Sequence, residues 1–260
     1  MILIRGGALL LAIILLLVLV DVVRRPRAPV SDSATAASAP LAAGPAASIP
    51  TGGIVLPDSA TRAAVRQRLE GFRPGTYLDS MLASSDSVVR RWPDSQRTGL
   101  VVALRDCDLP LYDARMATFV RQATETWQRT GVGVGFLVLL SGDTTNAQIV
   151  VRCVDKFDID RIGQTDLVWD QLGLIHHANI SLAVRDTAGA PLPDDALRAV
   201  ALHEVGHAIG LPHSPDSSDV MFGAAAAQEM SAQDLRTVAA LYALPPGPVK
   251  VRLKKPVAAR

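Results

Sequence analysis

The 260 residues contain only two cysteines, Cys107 and Cys153, so no dense disulfide framework can carry the fold; a chain this long buries a core without one. An excess of charge of one sign is also missing, with 26 basic residues against 25 acidic ones and a net charge of +1. Arginine outnumbers lysine, yet no basic cluster is interleaved with aromatics, and nucleic acid is excluded as an expected partner. No internal repeat is visible, so one domain of ordinary size with extensions is the starting expectation. The acidic stretch holding Asp155, Asp158 and Asp160 lacks the glycine and glutamate of an EF-hand loop. A solvated loop is expected there, and a Ca2+ site has no more support than those three carboxylates.

What is present begins with "GGALLLAIILLLVLV", an uncharged run preceded by Arg5 and followed by Asp21, Arg24, Arg25 and Arg27. From Ile2 to Val23 the segment approaches the roughly 20 residues that cross a bilayer, while the uncharged part alone suits a signal-peptide core. Residues 1–23 are therefore either a signal anchor or a signal peptide. The nearest small-x-small site, Ala34-Thr35-Ala36, lies far past the run and favours the anchor. No cysteine follows the run closely, so a lipid-modified amino terminus is not supported, and positive charge on both flanks leaves the orientation undecided. The remainder is expected outside the cytoplasm, membrane-anchored or secreted, as a monomer. In an exported chain Cys107 and Cys153 either pair or stay as buried thiols. Each follows a strand-like run, and parallel neighbouring strands would bring the two sulfurs to the same sheet end.

Residues 24–57 are Ala, Pro, Ser and Gly with few large apolar residues, and they read as a flexible tether. Residues 58–97 read as a helical amino-terminal extension, with Tyr77, Leu78, Met81, Leu82, Val88 and Val89 on one stripe; this is either a prosegment or part of the fold. The main domain spans 98–247. It opens with the strand "GLVVAL" and a helix repeating Tyr112, Met116, Phe119, Val120, Ala123 and Trp127. "VGVGFLVLL" and "AQIVVRCV" are apolar enough for buried parallel strands, and "TDLVWD" with "ANISLAV" suggests an antiparallel edge pair. A helix follows Pro193, Asp194 and Asp195, and a last helix is capped by Ser231. The basic tail, 248–260, is expected to be solvated.

The chemistry concentrates in "HEVGHAIGLPH", His203 to His213. His203 and His207 are four apart, so on a helix both rings leave one face and can hold one metal ion. Were the helix to continue, His213 would lie about 15 Å beyond His203, far outside zinc–nitrogen distance. Gly210 can adopt the left-handed conformation and Pro212 stops the helix resuming, so the chain can turn and present His213 as third ligand. Three neutral ligands leave a fourth position for water, and Glu204 stands next to it without being a ligand. It can take the proton of a zinc-bound water attacking a carbonyl carbon and pass it to the leaving amine. His176 and His177 lie in a strand, where neighbours face opposite ways, and are read as structural.

The pattern His203, Glu204, His207, Gly210, His213, followed by "SPDSSDVMF" with Met221, resembles the metzincin metalloproteases. Ser214 directly after the third histidine, the methionine eight residues beyond it, and "MSAQDLRTVAALYALPPG" resemble the matrixin branch. The resemblance implies a zincin-like α+β fold: a twisted, mostly parallel five-stranded sheet with an antiparallel edge strand, a backing helix, the zinc-binding active-site helix, a methionine turn and a carboxyl-terminal helix. It implies Met221 as an apolar floor beneath the metal, and a peptide or protein substrate adding a strand to "TDLVWD". No cysteine precedes Cys107, so the prosegment-cysteine latency of animal matrixins is not expected. Nor can His176 and His177 alone build their second, three-histidine zinc site. Phe222 and Gly223 replace the tyrosine and proline that often follow the turn methionine. The function implied is zinc-dependent endopeptidase, the rival being a non-catalytic zinc-binding or peptide-binding module of protease-like fold.

Overall fold

A computed structural model describes residues 59–72, 74–80, 88–105, 107, 109, 113–139 and 143–248. The expected membrane segment (1–23), the tether (24–57) and the tail beyond Pro248 lie outside them. Among the described residues no helix is long and apolar enough to cross a membrane.

The chain runs α1 (Ser59–Phe72), β1 (Val88–Val89), β2 (Leu100–Leu104), α2 (Asp113–Gln128), β3 (Phe136–Leu139), β4 (Ile149–Val154), β5 (Gly163–Trp169), β6 (Ile175–Ala183), α3 (Asp194–Ala208), α4 (Ala232–Ala243) and β7 (Gly247–Pro248). Five strands form one sheet in the order β3-β2-β4-β6-β5; the first four are mutually parallel and β5 is antiparallel to β6. The mixed α+β architecture and mostly parallel sheet expected from the sequence are therefore present, with "TDLVWD" at the antiparallel edge. The parallel strands carry Leu100, Val102, Ile149, Val151, Ile180 and Leu182 into the core. Met116, Phe119, Val120, Ala123 and Trp127 of α2 supply the other side, as their helical spacing requires.

Two expectations change, and one open alternative is decided. "VGVGFLVLL" forms a strand only from Phe136, because Gly131 and Gly133 sit at φ 74° and 77° and Gly135 passes so close that a Cβ there would lie 2.4 Å from the Thr98 carbonyl. The single helical stripe from Tyr77 to Val89 divides. Tyr77 and Leu78 are buried, Met81 and Leu82 lie outside the described residues, and Val88–Val89 is a strand paired antiparallel with Gly247–Pro248. Long-range pairing overrides the local period here, since Arg91 also exchanges backbone hydrogen bonds with Gly173 and Ile175. The two cysteines, left open by the sequence, are joined in a disulfide with Cα atoms 5.5 Å apart, beside the parallel strands β2 and β4.

Tyr77, Leu78, Val89 and Trp92 belong to the same core cluster as the sheet and α3. The Trp92 indole donates to the Ala208 carbonyl at 2.8 Å and the Tyr242 hydroxyl to the Ile209 carbonyl at 3.0 Å. Two of the carbonyls orphaned where α3 ends are satisfied this way, so the helix can stop inside the protein without a desolvation penalty.

Candidate active site

Helix α3 starts at Asp194 and Asp195, acidic residues at the positive end of the helix dipole, and is buried along most of its length. It ends in a Schellman motif. Gly210, at φ 103°, donates its N–H to the His207 carbonyl at 2.9 Å, and Leu211 donates to the Gly206 carbonyl at 3.1 Å. The reversal brings His213 back to the face carrying His203 and His207. One ligand atom from each of the three lies within 4.8 Å of the others, and this is the cluster of the described residues able to hold a metal ion.

Hydrogen bonds orient two of the rings. His203 Nδ1 lies 2.7 Å from the Val220 carbonyl, and His207 Nδ1 lies 2.7 Å from the Leu211 carbonyl. Each Nδ1 therefore donates a proton to backbone and leaves Nε2 with its lone pair for a metal. The second acceptor comes from the turn that delivers the third ligand. Burial lowers His203 to about 4 and His207 to about 3, and also lowers His213, so all three rings are neutral at pH 7 as metal ligation requires. The donor set of three neutral imidazoles fits zinc.

Glu204 is 4 % exposed and burial raises its carboxyl to about 7, with the Thr165 hydroxyl pulling the other way. That hydroxyl donates to Glu204 Oε2 at 2.6 Å from strand β5. The approach requires Gly163, since a Cβ there would lie 2.3 Å from Glu204 Oε1 and 2.5 Å from Val200 Cγ2. Met221 is fully buried against Gly206, where an added Cβ would sit 2.3 Å from its sulfur, and its carbonyl accepts from the Ser214 N–H at 2.7 Å. The turn is held from below by two buried carboxylates. Asp219 accepts from the Ser214 and Ser231 hydroxyls, and Asp234 Oδ2 accepts from the N–H groups of Val220 and Ser231 at 2.8 and 3.0 Å. The latter bond completes the capping box of α4, with Ser231 the cap its sequence position suggests.

The three histidines and Glu204 open into a cleft of about 740 Å3, walled by Gly163, Gln164, Thr165 and Leu167 of β5 on one side and by Gly223–Ala225 on the other. His176 and His177 are elsewhere: His176 Nε2 bonds Asp170 at 2.9 Å and His177 bonds Asn179. Asp155 pairs with Arg185. Sequence reasoning brought together the three histidines, Glu204 and Met221 but missed Thr165, Gly163, Gly206 and the two carbonyls. None of these carries a sequence signal apart from the glycines.

A buried carboxylate beside three convergent neutral imidazoles, on a helix beneath an open cleft, defines the class as a three-histidine metal centre of the metallohydrolase kind. Residues 193–243 match the family model Peptidase_M10, matrixin, which covers α3, the methionine turn and α4. Over that stretch the chain is similar to the matrixins and fits a matrixin-like metzincin, and match and triad together support a zinc metallopeptidase. No curated protein is similar enough to the chain to match it.

Proposed function

We propose that the protein is a zinc-dependent endopeptidase in which His203, His207 and His213 hold the metal and Glu204 is the general base. The observation that carries this reading is the buried Glu204 carboxyl, set next to the first ligand and opening onto the same cleft as all three imidazoles. When bound, zinc supplies Lewis acidity to a coordinated water and to the substrate carbonyl. Glu204, with a carboxyl tuned near neutrality, accepts the proton of the attacking water and delivers it to the leaving amine. Thr165 holds Oε2, so that Oε1 is the oxygen left for this traffic. Met221 forms the apolar floor against Gly206, behind the ligands.

Strand β5 ends the sheet, and an extended peptide adds to its outer edge as a further strand. The small residues Gly223–Ala225 form the opposite wall, where side chains of the substrate are received. A disulfide fits an oxidising compartment, so the catalytic unit acts outside the cytoplasm, secreted or held by the amino-terminal segment. A module that keeps metal without cutting has no use for a carboxyl buried beside the ligands.

The test is incubation of the purified chain with a mixed peptide library, with and without chelator, read by mass spectrometry. Cleavage that needs metal is expected. Glu204→Gln is expected to keep about one zinc per chain and lose ~10²–10⁴ in rate. Equal cleavage by wild type and variant removes the general base from the reading.

A further inference from the structure

The segment before β1 makes contacts that the proposed chemistry does not use. Ser80 Oγ donates to the His213 carbonyl at 2.7 Å, across 133 residues of sequence. Three residues earlier, the Tyr77 hydroxyl donates to Asp234 Oδ1 at 3.1 Å and the Tyr77 N–H donates to Thr237 Oγ1 at 3.2 Å. Arg236 Nε in turn donates to the Gly75 carbonyl at 2.7 Å. Gly75 is at φ 70°, and a Cβ there would meet Arg236 Nε at 2.9 Å, so the turn is shaped to fit beneath that side chain.

From these anchors two hydrogen-bond paths lead to the metal ligands. The short one is direct, from Ser80 to the backbone of His213. The longer one passes through Asp234, whose second oxygen holds the Val220 N–H, while the Val220 carbonyl holds His203 Nδ1. Residues 75–80 meet the backbone of one ligand and the support of another, and none of them lines the cleft. A segment that blocked the site would have to enter it.

We infer that residues 75–80 are a permanent strap of the metal centre, with Ser80 positioning His213 and Tyr77, through Asp234, positioning His203. The inference rests on the zinc reading given above. It divides the extension before the catalytic domain, because the strap has to stay whatever becomes of the chain before it. Outer partners of metal ligands typically carry 10–100-fold in affinity, and a bond to a ligand's backbone belongs at the lower end of that range.

The experiment uses the full chain loaded with zinc and follows its release to an excess chromophoric chelator, alongside thermal melting of the metal-free chain. Ser80 is the cleaner probe because its bond lies at the surface. Ser80→Ala is expected to speed release about tenfold with the metal-free melting point unchanged, and Ser80→Thr, which keeps the hydroxyl, to restore slow release. Tyr77→Phe is expected to speed release as well, and its cobalt-loaded form to show an altered visible spectrum. Release from Ser80→Ala and Tyr77→Phe at the wild-type rate overturns the inference. So does faster release that only tracks a fall in metal-free melting. A wild type that takes up no zinc fails the peptidase reading itself, a result distinct from a zinc-binding wild type matched by its variants.

Discussion

Gly206→Ala has a sign that two opposed effects decide. In an exposed helix interior the change would stabilise by about 1 kcal/mol, because alanine loses less backbone entropy. Here the added Cβ would sit 2.3 Å from Met221 Sδ and 2.8 Å from Trp127 Cζ2, whereas unstrained carbon contacts lie at about 3.5–4.0 Å. Trp127 cannot yield, being fully buried with its indole bonded to the Leu202 carbonyl at 2.8 Å. Met221 must move instead, and overpacking of this kind costs about 1–3 kcal/mol. The net expectation is destabilisation by about 1 kcal/mol, with Met221 displaced from its place against Gly206. Met221→Ala alone should cost ~2–5 kcal/mol through the space it leaves. In that background the added methyl fills part of the vacancy, so Gly206→Ala should become stabilising. Urea unfolding of the four metal-free proteins, followed by tryptophan fluorescence, measures the cycle. Stabilisation by Gly206→Ala in the wild type, or additive effects in the double variant, would refute the contact and with it the placement of the methionine.

Three further outcomes are expected. Thr165→Val should lower peptidase rate about tenfold, less than the ~10²–10⁴ of losing the base, with zinc content unchanged and Thr165→Ser active; a wild-type rate in Thr165→Val would show that the hydroxyl does not hold Glu204. The metal-free fold should weaken as pH falls from 6.5 to 4. The unfolded histidines take up protons there, while burial holds folded His203 near 4 and His207 near 3. Glu204 acts oppositely, since burial raises it from 4.5 to about 7 and its stabilisation fades as pH rises through that window, but it is one group against two. A urea midpoint that rises on acidification from pH 6.5 would contradict this sign. Reducing Cys107–Cys153, which closes a 46-residue separation, should cost about 4 kcal/mol by loop entropy; melting scans with and without reductant would test it, and coincident curves would count against the bridge.

The sheet was legible where each strand's own composition decides: β2 and β4 are apolar because both faces are covered, and β5 with β6 read as an antiparallel pair at the edge. The amino-terminal strand was not, because Val88–Val89 pairs with Gly247–Pro248, residues that no local window contains. In the site, the three histidines and Glu204 were readable since helix periodicity and one break fix their geometry. Thr165 was hidden for the opposite reason. It reaches Glu204 only through the packing of the edge strand on α3, and a threonine in a strand is unremarked. Ser231 announced itself as a helix cap, yet the tie of its capping-box partner Asp234 to Val220 depends on where the methionine turn is folded.

Gly210 concentrates several dependencies in one residue. Its turn frees the Leu211 carbonyl to hold His207 and swings His213 into place, while a Cβ on it would lie 2.4 Å from the Arg90 carbonyl. Two of the three imidazoles are thus set by one backbone event. An error at this position does not leave a weaker site with two good ligands and a poor third; it removes the arrival of one and the alignment of another together. On the proposed zinc reading, metal capture is therefore all-or-none with respect to this turn, and a chain that has not yet made it has only the helical pair, with His207 unaligned and no third imidazole.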